Sequence, residues 1–357
     1  MFSKLLATAI VAVMARSAIA HPVGLERRDS GISVELKPVS NTEVDAVVTN
    51  TAGEAISLLN YGTFFDDDKV QKVSVKQNGS EVPFLGILKN YLLTDLPAEA
   101  FTTLAPGESV STTINIPAIH EVAGGDYSIV SFGALPYAKA DSTELAGAVN
   151  FESNTLAMSI DGEVAAAVKP AISRRSIDKR TVIQNCSGSK GTSLRNALSN
   201  AVTLSNNAAT AATSGSTSTF NTYYKSTSSS VRSIVAARFE GVVTEASSTT
   251  TGATTYSCTD DYDVCTSGVL AYTYPSLNHI ANCDLYYSDL PLLTTTCHAQ
   301  DQTTTTIHEF THAPGTYSPG TDDYAYGYSA STALSSSQAV LNADTYALYA
   351  NAIYVGC

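Results

Sequence analysis

The chain has 357 residues, with 20 Lys or Arg against 33 Asp or Glu for a formal net charge of −13 at pH 7. An acidic surface keeps a chain soluble, which suffices to explain this balance; it also draws in cationic polypeptides and repels anionic ones, which argues against nucleic acid as a partner. The most apolar stretch, Leu5 to Met14, is too short to cross a bilayer, and no other segment does better, so no membrane partner is expected.

Residues 1–20 carry Lys4, then that short apolar run, then Ala18-Ile19-Ala20 just before His21. A basic start, an apolar middle and an A-x-A ending describe a secretory signal peptide cut after Ala20. The remainder is expected to be soluble, secreted and extracellular. All six cysteines (Cys186, Cys258, Cys265, Cys283, Cys297 and Cys357) fall in the C-terminal half. An even count in an exported chain implies three disulfides, in any of 15 connectivities. Zinc-binding thiolates are disfavoured, because no C-x-x-C pair occurs.

The stretch 21–180 has no cysteine and reads as β. Ile32-Ser-Val-Glu-Leu-Lys37 alternates apolar and polar, Val73 to Val75 and Thr112 to Ile116 continue the style, and Pro or Gly clusters separate the runs. Short strands at this spacing suggest an all-β sandwich of immunoglobulin-like type. Asn78-Gly-Ser is a formal glycosylation sequon. The stretch ends in Arg174-Arg175-Ser-Ile-Asp-Lys179-Arg180. Dibasic pairs in an exported precursor are targets of a Kex2-like processing protease, and a cut after Arg180 would divide the chain into a propeptide, 21–180, and a catalytic domain, 181–357. Arg27-Arg28 and Arg174-Arg175 are lesser candidates. A pro-segment this large can act as a folding template and as a cover for the active site. Without a cysteine it offers no thiolate to a metal.

In residues 181–357 the pattern changes. Asn185-Cys-Ser is a second sequon, and its cysteine is expected in a bridge. Leu194, Ala197, Leu198, Ala201, Val202 and Leu204 recur near helical spacing, as do Val231, Ile234, Val235 and Val242. The Ser/Thr/Ala-rich stretch Ala211 to Thr219 reads as a connection between these two helices inside one domain. Gly268 to Tyr274 reads as a strand, and Cys283-Asp-Leu-Tyr-Tyr287 as an edge strand. A helix from Gln302 stops at Pro314, which cannot continue it and biases Ala313 away from the α region. Pro319-Gly320 turns the chain, and a last helix spans Ser336 to Tyr354. The domain is therefore expected to be α+β, mainly helical with a small β-sheet.

His308-Glu309-Phe310-Thr311-His312 carries the chemistry. On a helix, positions i and i+4 share a face, so both imidazoles can meet one metal with Glu309 beside them. Three protein ligands leave a fourth zinc position open for a water whose pKa falls to about 7, and Glu309 is placed to take its proton. The third ligand must come from elsewhere. No Glu follows Glu309, no His follows His312, and Ser318 stands where H-E-x-x-H-x-x-G-x-x-H would need its last histidine. Asp322, Asp323 and Asp344 remain. His279 and His298 read as surface or packing residues.

The residues after the turn are Gly320-Thr-Asp-Asp323-Tyr-Ala-Tyr326-Gly327. H-E-x-x-H followed by G-T-x-D-x-x-Y-G resembles the fungal deuterolysins, the aspzincin metalloendopeptidases, with every fixed letter present. The resemblance extends to the precursor plan, the six cysteines and the terminal Cys357. It implies a zincin-like catalytic domain, one zinc (Zn2+) per chain held by His308, His312 and Asp323, and Glu309 as general base. It also implies Tyr286 and Tyr326 as oxyanion donors, Asp344 near the pocket for the residue after the cut bond, and bridges Cys186–Cys258, Cys265–Cys283 and Cys297–Cys357. Residues 181–357 hold five Lys or Arg against 12 Asp or Glu, a net of −7. That charge agrees with the family's liking for basic polypeptide substrates such as protamines and histones. The enzyme is expected to be a monomer.

Overall fold

The computed structural model describes residues 31–172 and 183–357. The expected signal peptide, the three dibasic pairs and the cut before Thr181 lie outside the described residues.

Alternation in the N-terminal half becomes strands with one face inward. They are β1 (Ile32–Pro38), β2 (Glu43–Asn50), β3 (Ile56–Leu59), β4 (Ser74–Gln77), β5 (Ser80–Glu81), β6 (Leu88–Tyr91), β7 (Phe101–Leu104), β8 (Ser109–Asn115), β9 (Gly125–Val130), β10 (Phe132–Lys139), β11 (Leu145–Glu152) and β12 (Leu156–Ile160). In β1 and β2 the residues Ile32, Val34, Leu36, Val44, Ala46 and Val48 are buried, and the register Val34↔Val48, Leu36↔Ala46 keeps them on one side. Two brief helices interrupt the strands. Asn115 caps α1 (Ile116–Ile119) through Ala118 N, and Asp161 caps α2 (Gly162–Ala166) through Glu163 N.

Eleven of these strands form three antiparallel sheets, ordered β1-β2-β8, β11-β10-β3-β7 and β12-β9-β4-β5, rather than the two of an immunoglobulin-like sandwich. Their apolar faces share one core that includes Val44, Val48, Leu58, Val75, Ile116 and Ile129. The exception is β6. It leaves these sheets and joins a fifth-strand position in the sheet of the C-terminal half.

That half contains β13 (Ile183–Gln184), β14 (Thr255–Ser257), β15 (Val269–Tyr274) and β16 (His279–Asn282). Its helices are α3 (Gly188–Ser214), α4 (Thr217–Tyr224), α5 (Ser229–Ala246), α6 (Asp284–Ser288), α7 (Gln302–His312), α8 (Gly327–Ser331), α9 (Ser336–Ala339) and α10 (Ala343–Val355). The sheet order is β13-β14-β16-β15-β6, with β15 antiparallel to both neighbours. Leu194, Leu198 and Leu204 of α3, Phe239 and Val242 of α5, Phe310 of α7 and Tyr346 and Tyr349 of α10 meet in a second core. Burying each of these large side chains is worth roughly 1.5–3 kcal/mol. The fold is thus mixed α/β with several sheets.

Three local expectations are corrected. The stretch Ala211 to Thr219 is largely helical, because α3 runs to Ser214 and α4 begins at Thr217, capped by Ser216. Residues Cys283 to Tyr287 are not an edge strand. Cys283 N donates to Leu270 O, ending the sheet contact, and Asp284 opens α6 in its first turn. The last helix is two, separated around Asn342, whose carboxamide oxygen accepts the amides of Tyr324 and Ala325. The three disulfides are Cys186–Cys258, Cys265–Cys283 and Cys297–Cys357, the pairing implied by the resemblance.

Candidate active site

Helix α7 begins at Asp301, whose side chain accepts from Thr304 N at 2.6 Å, and ends where Ala313 turns extended ahead of Pro314. All eleven of its residues are buried. A run of threonines is a poor helix former, since β-branched side chains lose χ1 freedom. Here tertiary contacts hold it: Thr303 donates to Leu292 O, and Thr306 to Gln302 O and toward Tyr286.

The i, i+4 spacing brings the two Nε2 atoms of His308 and His312 to 3.0 Å from each other. Asp323 completes the cluster, with Oδ1 3.2 Å from His308 Nε2 and Oδ2 3.3 Å from His312 Nε2. The far nitrogens fix the tautomers. His312 Nδ1 lies 2.9 Å from Thr321 O, and His308 Nδ1 lies 3.2 Å from Asp344 Oδ1. A carbonyl can only accept, so the His312 proton is on Nδ1. The carboxylate does the same for His308, and both Nε2 lone pairs face the Asp323 carboxylate. Neither oxygen of Asp323 meets a donor in hydrogen-bonding geometry, although it is buried among nitrogens. Two imidazole lone pairs and a bare carboxylate within this distance are a ligand set for a cation, and N,N,O suits zinc.

The electrostatics agree. Burial depresses His308, but Asp323, Asp344 and Glu309 outweigh it and carry the imidazole up to about 10, so without a metal its Nε2 holds a proton toward Asp323, and a cation would bind the lone pair by displacing that proton. Burial pushes Asp323 up, yet the two facing imidazoles prevail and hold it well below the usual carboxylate range. The pocket therefore demands positive charge.

The loop that delivers Asp323 is built by contacts from several elements. Thr321 N donates to Thr311 O at 2.9 Å, and the buried Arg238 of α5 donates to Pro319 O at 2.8 Å while stacking near Tyr317 and Tyr346. Gly320 is required there, because a Cβ would run into the His312 carbonyl. Of the three carboxylates left open by sequence, only Asp323 reaches both imidazoles. Asp322 accepts from the Tyr324 hydroxyl, and burial raises it to about 6. Asp344 sits behind His308, accepts Gly327 N with Oδ2, and borders a cavity of ≈ 420 Å³ shared with Thr304, Tyr328, Ala347 and Asn351.

Glu309 is fully buried, which raises its pKa despite the nearby imidazoles. Its Oε2 accepts from Thr273 Oγ1 at 2.6 Å, while Oε1 meets no donor. Thr273 went unnoticed in the sequence, where it is one polar residue inside a strand. Tyr326 stands beside the cluster, its ring 6.4 Å from that of His308, and its hydroxyl donates to Lys89 O at 2.8 Å. Tyr286 is not brought to the metal cluster. It is buried on α6, and its hydroxyl donates to Gln302 O at 3.0 Å and lies 2.9 Å from Thr306 Oγ1, both at the earlier part of α7.

His279 and His298 stay outside the cluster. His279 packs on Tyr262 near Asp261, and His298 stacks on Tyr328 with Tyr223 at 2.6 Å. Cys297, His298 and Cys357 lie close together, but both sulfurs are in the bridge and cannot ligate. Asn78 and Asn185 are both exposed, each with positive φ.

The whole chain, residues 1–357, matches the model of the deuterolysin metalloprotease (M35) family. It is 52% identical over 357 residues to a neutral protease 2 homolog of Botryotinia fuckeliana, covering 100% of this chain and 99% of the relative. It is 49% identical over 353 residues to penicillolysin of Penicillium citrinum, covering 99% of each. A neutral protease 2 homolog of Aspergillus oryzae is 49% identical over 351 residues, 98% of each chain.

Proposed function

The chain belongs to the deuterolysin metalloprotease (M35) family and is a zinc metalloendopeptidase acting on polypeptides, and from that premise we propose that His308, His312 and Asp323 hold the zinc and Glu309 is the general base. The observation that carries this reading is the convergence of both Nε2 atoms and the Asp323 carboxylate, with each Nδ1 engaged elsewhere. Zinc bound there supplies the charge that acidifies a water and polarises the scissile carbonyl. Glu309 Oε1, which meets no donor, accepts the water proton and passes it to the amine nitrogen as the C–N bond breaks. Thr273 holds Oε2 and so orients the carboxylate. Burial raises Glu309 toward the range a base needs near neutral pH. Tyr326 donates to the carbonyl oxygen as negative charge develops there, and its bond to the Lys89 carbonyl is with the same kind of acceptor.

We further propose that residues 1–20 direct export, that 21–180 form a propeptide, and that a Kex2-like cut after Arg180 releases an extracellular, monomeric domain 181–357. Containment of all three bridges within that domain supports the division. Its net −7 and the Asp344 side of the cavity support a leaning to basic substrates such as protamine and histones.

Mass spectrometry of the secreted material is expected to give Thr181 as N-terminus and one zinc per chain. Protamine cleavage is expected to exceed casein cleavage and to stop with a chelator. Glu309→Gln should lower kcat by about 10²–10⁴ with zinc retained. Undiminished turnover in that variant would remove Glu309 from the mechanism.

A further inference from the structure

The strand β6 is the feature that the mechanism does not use. It comes from the N-terminal half yet pairs antiparallel with β15, in the register Thr273↔Leu88, Tyr272↔Lys89, Ala271↔Asn90 and Val269↔Tyr91. Its residues are 1 to 3% exposed, so they are covered on both sides. Thr273 is the residue that holds Glu309, which sets Leu88 beside the general base.

The backbone contacts beyond the ladder come from the C-terminal half as well. Tyr326 donates to Lys89 O, Gln300 Nε2 donates to Tyr91 O at 2.8 Å, and Leu93 N donates to Gln300 Oε1 at 2.9 Å. Leu92 N donates to Gly268 O at 2.8 Å, and Leu92 and Leu93 border the Asp344 cavity. An extended segment therefore runs from the Glu309 side of the site to the Asp344 side, held through its main chain. Main-chain recognition on a sheet edge is how a protein binds an extended peptide of arbitrary sequence. The strand is braced from behind by its own half: Lys89 pairs with Asp68, the Tyr91 hydroxyl donates to Asp66, and Tyr61 stacks on Tyr91 at 4.9 Å. Gly62 allows that backing loop to close on the Tyr326 ring, since a Cβ there would come within 2.6 Å of it.

We propose that residues 88–93 are a built-in inhibitory strand that occupies the peptide-docking edge of β15, and that the N-terminal half stays docked as an inhibitor after the connection at 173–182 is cut. The proposal rests on the reading of residues 21–180 as a propeptide. It identifies the occupant of the edge before activation as residues 88–93 and afterwards as substrate main chain. While docked, the strand engages the Tyr326 hydroxyl through the Lys89 carbonyl and covers Thr273 and Glu309.

The test uses the full chain, cut in the connection by an added dibasic-specific endoprotease, with turnover of a quenched peptide followed over a dilution series. Cut wild-type chain should be silent when concentrated and gain specific activity on dilution. Leu92→Pro removes the amide that binds Gly268 and should raise the concentration of half-activation about tenfold. In case that variant misfolds, amide exchange of wild type gives a second reading. Leu270 bonds Cys283 on the β16 side, so by alternation the Ala271 and Thr273 amides are the ones that face β6. Those two amides should be protected in the cut complex, exposed after dilution, and protected again by a phosphonamidate tripeptide. Full activity in the undiluted cut complex, still intact on a sizing column, would overturn the proposal, as would unchanged exchange at Ala271 and Thr273. A diluted chain with normal zinc but no turnover would instead overturn the hydrolase reading, and the exchange data would still decide the strand.

Discussion

Acid should loosen the N-terminal half through one buried histidine. His120 follows α1, is 2% exposed, and packs edge-on against Phe84 at 5.5 Å. Burial depresses its imidazole to about 4; the carbonyls of Val82 and Val73 offset this only slightly, and neither closes to hydrogen-bonding geometry with a ring nitrogen. Above pH 6.5 the ring is neutral in both folded and unfolded chains, so nothing is lost. Between 6.5 and about 4 the unfolded chain takes up a proton that the folded chain refuses, and stability falls with pH; below about 4 the loss is complete. From pH 7 to pH 5 the loss is about 2 kcal/mol, taking 1.36 kcal/mol per unit. With a urea slope of roughly 1–3 kcal/mol/M, the midpoint should drop by about 1 M. The assay is pulse-labelling hydrogen exchange of residues 74–77 and 125–130 after urea equilibration at each pH, labelled at one fixed pH. A Glu309→Gln background prevents self-digestion. His120→Phe keeps an aromatic against Phe84 and removes the proton, so its midpoint should lack this drop. Parallel falls in wild type and His120→Phe would refute the reasoning.

Three further outcomes are expected in and around the proposed metal site. Thr273→Val removes a 2.6 Å bond to a buried carboxylate and should lower kcat/KM by about 10- to 100-fold with zinc content unchanged; an effect within twofold would take Thr273 out of the mechanism. Asp344→Asn removes the charge behind His308 Nδ1, and competition with a fluorescent chelator should show zinc held about 10- to 100-fold more weakly. Equal retention would leave Asp344 with the cavity alone. Tyr286→Phe should cost about 1 kcal/mol of stability and leave kcat/KM within twofold, because the hydroxyl bonds Gln302 and Thr306 rather than facing the ligands; a hundredfold loss of turnover would return it to the catalytic set.

Local chemistry made much of this legible. Pro314 marks the end of α7, the i, i+4 spacing of His308 and His312 sets their common face, and the glycine-containing turn leads to Asp323. What escaped depends on distant partners. Residues Cys283 to Tyr287 have the aromatic content of a strand, but the sheet contact stops at Cys283 N, and propensity yields to that constraint. The periodicity through 336–354 continues across Asn342, and the break arises because that side chain turns to hold Tyr324 and Ala325. Nothing around Leu88 to Tyr91 announces a partner strand about 180 residues away, and nothing around Thr273 announces Glu309.

The composition of α7 also bears on when metal can enter the molecule. Five of its eleven residues are threonine, each costing about half a kcal/mol of helix propensity relative to alanine, and eleven residues are too few for an isolated helix to persist in water. In an unfolded or half-folded chain His308 and His312 therefore lie along a coil, with Asp323 unanchored, and no clamp exists to trap a passing ion. The clamp forms only when Asp301, Leu292 and Tyr286 have closed around the helix and Arg238 has drawn in the turn. On the proposed ligand set, zinc uptake is expected to follow the closing of these contacts, so that zinc content would report on molecules whose site has formed.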